Sequence, residues 1–220
     1  KDNIKVEMVE FSDYVKPNEA LEDGEIDLNA FQTEIYFNNF VKERGYTDLG
    51  ILAYTQVAPM GIYSSKYKSL DEATGHLIIA IPNDVTNGGR ALKFLEKNGF
   101  LTLKKEAGLT PTVMDIEKYN KDVEIVEMVA TQIPASLPDL SFACINNGVA
   151  KDAGLTLKND AIVYEDYKEP DMKNYWNIIA AKKDRIESED FQKIKKAYNS
   201  DEVKQVVLEH YDGQSIPVWD

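Results

Sequence analysis

Arg90 closes a run of small polar residues that follows a short apolar stretch: Ile78-Ile-Ala-Ile-Pro-Asn-Asp-Val-Thr-Asn-Gly-Gly-Arg-Ala-Leu92. Its guanidinium is a planar fork of N–H donors that suits a carboxylate. Ile78–Ile81 has the composition of a covered parallel strand. Pro82 to Gly89 breaks it, and the helix that follows is expected to hold Arg90 in its first turn. A helix start carries unpaired N–H groups and a partial positive charge, so it attracts anions. Strand, loop, helix start and arginine together suggest a site for a small carboxylate ligand. The same residues also fit an ordinary helix capped by Thr86 or Asn87, with Arg90 in solvent. The Gly88-Gly89 pair admits an oxyanion binder as well, although the P-loop signature with its lysine is absent.

Other reactive side chains are few. Cys144 is the only cysteine and lies in the apolar run Leu140–Ile145. A buried structural thiol is expected there rather than a nucleophile. His76 and His210 are the only histidines. One precedes a strand and the other ends a helix, so both read as surface or cap residues. No serine sits in a nucleophile elbow, and no His, Cys or Asp cluster has metal-ligand spacing. An α/β enzyme remains an alternative class with little to carry it. No cofactor and no metal are expected.

Composition narrows the partners. The 220 residues are 43% hydrophobic, enough for one large or two small cores. The net charge of -13, with no basic run, argues against nucleic acid or an anionic membrane surface. With one cysteine, no disulfide forms within the chain. No apolar run is long enough to span a membrane, and no signal peptide is visible. The start at Lys1 without a methionine suggests a processed or trimmed product.

These side chains need a frame. Strands are expected at Ile4–Phe11, Ile26–Phe31, Leu49–Val57, Pro59–Tyr63, 77–81, Val123–Met128, Leu140–Ile145, Ala161–Glu165 and Tyr175–Lys182. Helices are expected at Asn18–Asp23, Glu34–Arg44, Leu70–Ala73, Ala91–Asn98, Asp115–Lys118, Ile133–Leu137, Val149–Ala153, Asp190–Tyr198 and Asp201–Tyr211. The alternation indicates an α/β fold with mostly parallel sheets. Extended, proline-containing crossings at Val57–Met60 and Tyr164–Met172 divide it into two lobes. The first comprises 1–58 plus 170–220 and the second 59–169. Ligands in such folds bind beyond the carboxyl ends of strands and at domain interfaces.

Several ordered blocks carry a family resemblance. They are Val9-Glu-Phe-Ser-Asp-Tyr-Val-Lys-Pro-Asn18, Asp27-Leu-Asn-Ala-Phe-Gln32 and Ala58-Pro-Met-Gly-Ile-Tyr-Ser64. Ile79-Ala-Ile-Pro-Asn-Asp84 and Thr86-Asn-Gly-Gly-Arg-Ala-Leu92 follow. Gln132-Ile-Pro134, Ile145-Asn146, Asn177-Ile-Ile179 and Ser200-Asp-Glu-Val-Lys204 complete them. Over nearly its whole length the chain resembles the NlpA/MetQ family of lipoproteins, the methionine-binding components of ABC importers. The resemblance implies a two-lobed, type II periplasmic-binding-protein-like fold that closes on free L-methionine or a close relative in the inter-lobe cleft. It implies an extracytoplasmic protein, lipid-anchored through an N-terminal cysteine absent from this chain, that delivers its ligand to an ABC permease. It further implies a first strand and helix that these residues lack.

Carried over by position, Arg90 pairs with the ligand carboxylate and Asn146 holds the amino-acid head group. Asn177 is a further polar contact, and Tyr14, Phe31 and Tyr36 line the side-chain pocket. Aromatic rings suit a polarisable thioether, at about 0.3–1.5 kcal/mol per contact. Two positions depart from the pattern. Thr33 stands where the family usually has histidine, and Ala135-Ser136 where an arginine follows the Gln-Ile-Pro motif. Thr33 removes one ring and one donor, so a methionine-containing dipeptide or another apolar amino acid stays open as ligand.

Overall fold

The computed structural model describes residues 4–219. They fall into two compact units, one of residues 1–58 with 167–220 and one of residues 59–166.

Unit 1 begins with an expectation that fails. Residues 4–11 form no strand, and Val6, Met8 and Val9 are exposed. Their alternation is that of a half-buried strand, but no described strand lies beside them to bond their backbone. Helix α1 (Lys16–Asp23) follows, and Gly24 closes it in the left-handed region at φ 75°. Of the expected strand 26–31, only β1 (Leu28–Asn29) pairs. Helix α2 (Glu34–Arg44) is capped by the Thr33 hydroxyl, which accepts from Tyr36 N at 3.3 Å. Strand β2 (Leu49–Val57) then carries the chain to the crossing into unit 2.

Unit 2 holds β3 (Gly61–Tyr63), β4 (Leu77–Pro82), α3 (Val85–Lys97), β5 (Leu101–Leu103), β6 (Ile116–Tyr119), β7 (Val123–Met128), α4 (Ile133–Ser136), β8 (Phe142–Ile145), α5 (Asn147–Asp152) and β9 (Ala161–Tyr164). Two expected helices are absent. Residues 70–72 form only bends, and the chain before them is held by side chains: Ser64 Oγ accepts from Lys66 N and Tyr67 N, and Glu72 from Lys68 N. At Asp115–Lys118, Asp115 closes a 3-10 turn by accepting from Thr112 N, and the next residues become β6, paired with β5. The chain re-enters unit 1 through β10 (Trp176–Lys182), α6 (Glu189–Tyr198), α7 (Asp201–His210) and β11 (Ile216–Pro217).

The sheets are mixed rather than mostly parallel. Unit 1 has the order β1-β10-β2-β11 with every ladder antiparallel. The reason is connectivity. β2 leads out of the unit and β10 is the first strand after the return, so the two run in opposite directions, with Ile179 opposite Ala53. Unit 2 has the order β7-β4-β8-β3-β9, parallel across β7-β4-β8 and antiparallel across β8-β3-β9.

Each unit has its own core. Ile79, Ile81, Leu92, Leu95, Phe100, Phe142 and Cys144 pack α3 onto the unit 2 sheet. Leu21, Phe37, Leu49 and Ile178 pack α1 and α2 onto one part of the unit 1 sheet, while Leu52, Ile179 and Phe191 bury α6 against another. Such apolar burial is the main favourable term, at about 25 cal/mol per Å². The Gly88-Gly89 pair is explained by packing. A Cβ on Gly88 would lie 2.7 Å from Pro82 O, and one on Gly89 would lie 2.9 Å from Thr110 Cα. Both glycines let α3 press against backbone, which is a structural use and not a phosphate cradle.

Candidate functional site

The start of α3 is already occupied by a side chain of its own. Asp84 is the N-cap, and its Oδ1 accepts from Asn87 N and from Thr86 Oγ1, both at 2.9 Å. Neither Thr86 nor Asn87 is the cap, and the helix begins six residues earlier than expected. Arg90 therefore lies in the second turn. A carboxylate at the N-cap supplies the negative charge that the helix start favours, which removes the basis for an oxyanion ligand there.

Asp84 also sets an amide relay. The Asn87 side-chain nitrogen donates to both Asp84 oxygens at 3.0 Å. Because an ionised carboxylate only accepts, the Asn87 amide must turn its nitrogen to Asp84 and its oxygen away. That oxygen accepts from Asn146 Nδ2 at 2.8 Å. Asn146 must in turn direct its own oxygen elsewhere. This Oδ1 is buried and accepts from no described residue. The next residue, Asn147, is 5% exposed and leaves its Nδ2 unpaired. Buried polar atoms without partners are uncommon and costly, so each calls for an explanation.

Arg90 is 3% exposed, not solvated. Its Nε donates to Glu165 Oε1 at 3.0 Å and Oε2 at 3.1 Å, and its Nη2 donates to Oε2. Glu165 follows β9 directly and also accepts from Met60 N at 2.7 Å. Arg90 lies three residues beyond Asn87, hence on the same face of α3. Unit 2 thus places Arg90 on the same face of α3 as Asn87, to which Asn146 is bonded.

The other expected residues lie in unit 1 and are brought together there. The Tyr14, Phe31 and Tyr36 rings form a triangle with centroids 5.9, 6.1 and 6.2 Å apart. Tyr36 Oη donates to Tyr14 O at 3.0 Å, tying the rings to the backbone before α1. Offset and edge contacts of this kind are favourable beyond area burial. Thr33 spends its hydroxyl on capping α2, and its backbone bridges that of Asn177. Asn177 Nδ2 donates to Gln56 O at 3.2 Å. Beneath this group, Gln32 Nε2 donates to Asn18 Oδ1 at 2.6 Å and Asn29 Oδ1 at 2.9 Å, all three residues being buried. That network fixes the backbone on either side of Phe31.

The remaining reactive groups lie elsewhere. Cys144 is fully buried, and desolvation pushes its thiol pKa up, so the thiolate is disfavoured. His76 is exposed between Asp122 and Glu124. His210 meets the Tyr211 ring edge-on at the end of α7. Among the described residues, no group of three or more His, Cys, Asp or Glu side chains could hold a metal, and no helix is long and apolar enough to cross a membrane.

The sequence reading missed Glu165 as a partner of Arg90 and Asp84 as the source of the relay. Glu165 is 75 residues from Arg90, a separation that carries no periodic signal. Asp84 was legible as a residue type favoured at N-caps, three before Asn87.

Known proteins resemble this chain in sequence and in fold. The model of the NlpA lipoprotein family matches residues 1–219. A relative named D-methionine-binding lipoprotein MetQ, from Escherichia coli, is 42% identical over 221 residues, covering 100% of this chain and 80% of the relative. The structure of a nutrient binding protein from Burkholderia cenocepacia bound to methionine superposes with a TM-score of 0.94 at 36% identity, covering 100% of this chain and 90% of that one. The substrate binding protein of a methionine transporter from Streptococcus pneumoniae gives a TM-score of 0.87 at 37% identity, covering 94% and 82%. Matched from end to end by the family model and folded as these solved proteins are, the chain belongs to the NlpA lipoprotein family.

Proposed function

We propose that this protein is the extracytoplasmic substrate-binding component of an ABC importer, and that it takes free methionine or a close relative without turning it over. The observation that carries the reading is the Asn146 oxygen, a buried acceptor that the Asp84–Asn87 relay holds unpaired. An acceptor in that position calls for a donor from the ligand, and an amino acid's ammonium is one. Arg90, on α3 with Asn87, takes the carboxylate. A zwitterion leaving water needs both charges matched, because an unpaired buried charge is expensive.

On this reading the Tyr14, Phe31 and Tyr36 rings are a set of the kind that suits a thioether side chain, with Thr33 and Asn177 in the same unit. Methionine is favoured over other apolar amino acids by the relatives named for it and by the relative solved with it. Lipid anchoring outside the cytoplasm and delivery to a membrane permease belong to the same proposal, supported by the lipoprotein family and by the transporter relative.

The test is isothermal titration of the protein with L- and D-methionine, a methionine dipeptide, leucine and inorganic phosphate. Saturable one-to-one binding of methionine, with weaker leucine and silent phosphate, is expected. Binding of phosphate alone, or of no amino acid, would refute it.

A further inference from the structure

Glu165 does more than neutralise a buried charge. Its carboxylate takes Arg90 by Nε and Nη2, edge-on, which fixes the plane of the guanidinium and not merely its position. The same carboxylate accepts from Met60 N, while Glu165 N donates to Met60 O at 3.0 Å. Met60 is the second residue of unit 2, and Glu165 is the last but one. One acidic side chain therefore fastens the arginine to both ends of the segment that makes up its unit. All three partners are buried, so water does not substitute for any of these bonds.

We propose that Glu165 is a positioning residue for the ligand site. It holds the Arg90 fork in the orientation that meets a ligand carboxylate, and it anchors that orientation to the backbone at both chain crossings. The inference rests on the reading of Arg90 as the carboxylate partner.

Position and charge make opposite predictions. If Glu165 acted only by charge, removing it would leave Arg90 less neutralised and tighten an anionic group against it. If it acts by position, a carboxylate moved back by one methylene, about 1.5 Å, fails even though its charge is intact. A general structural role would weaken every ligand alike.

The experiment is titration of the parent, Glu165→Asp and Glu165→Gln with methionine and with methioninamide, which lacks the carboxylate. The proposal expects both variants to lose about tenfold or more in methionine affinity while methioninamide binding stays at the parent value. Parent-like methionine affinity in Glu165→Asp overturns it, as does tighter methionine binding by Glu165→Gln or an equal loss for both ligands. A ligand-free readout separates this from the functional reading. The Arg90 Nε–H proton resonance should exchange slowly with water in the parent and rapidly in Glu165→Asp. If the parent binds no methionine, the function falls but the exchange rates still judge the positioning. Equal exchange in parent and variant overturns the positioning itself.

Discussion

The oxygen of the Asn87 side chain accepts from Asn146 Nδ2 at 2.8 Å, and this one bond turns the Asn146 oxygen to the side where no described residue donates to it. Asp84 holds the Asn87 nitrogen, so the polarity of two amides in series is inherited from a helix cap. On the proposed reading, Asp84 and Asn87, which cap α3, also orient the amide that a ligand would meet at Asn146, and substitutions there are expected to separate into distinct effects.

Asn87→Ala removes the bond that orients Asn146. The Asn146 nitrogen loses its acceptor and the amide is free to turn. Methionine affinity is expected to fall by about 1–3 kcal/mol, the usual cost of a buried polar group left unsatisfied. Titration calorimetry measures it. Asn146→Ala should lose at least as much, and affinity equal to the parent in both variants would refute the relay.

Arg90→Ala strands Glu165 as a buried carboxylate and removes the partner proposed for the ligand's acid group. Loss of about 2–5 kcal/mol of methionine binding is expected, together with a lower melting temperature. Arg90→Lys keeps the charge but not the fork, so it should recover stability more than affinity. Thermal melts and titrations on the same samples check both.

Gly89→Ala places a Cβ 2.9 Å from Thr110 Cα and 3.0 Å from Pro111 O. These are backbone atoms that cannot swing aside, so α3 or the 110–111 loop must move. Overpacking of this kind costs about 1–3 kcal/mol, read as a lower denaturant midpoint. A midpoint equal to the parent's would disprove the close approach.

His76 gives a pH signature. Hydrogen bonds to Asp122 and then Glu124 raise its pKa above the ordinary 6.5. A raised folded-state pKa adds stability below the unfolded value and loses it as pH rises through the folded one. His76→Gln should therefore melt below the parent near pH ~5.5 and converge with it near pH ~8.5. A gap that is constant or widens with pH would contradict the assignment.

Local patterns were legible where the cause is local. Glu34–Arg44 and Leu49–Val57 have the bounds expected of them, because a helical stripe closed by Gly45 and an apolar run each contain their own signal. Strand 4–11 fails because a strand is a relation between two segments, and its alternation cannot supply the second. The short helices at 70–73 and 115–118 fail for different reasons: 116–119 is taken up as a strand against β5, whereas 70–72 forms only bends, with Glu72 turned back to Lys68 N.

The site divides in the same way. Residue types and ordered motifs determined the family, the aromatic set Tyr14, Phe31 and Tyr36, and the choice of Arg90 and Asn146. Burial of Arg90, its pairing with Glu165, and the direction in which Asn146 points were decided by tertiary structure alone. A charge is matched, and an amide oriented, by whatever the fold brings within about 3 Å. That neighbour stands 75 residues away for Arg90 and 59 for Asn146, beyond the reach of any periodicity.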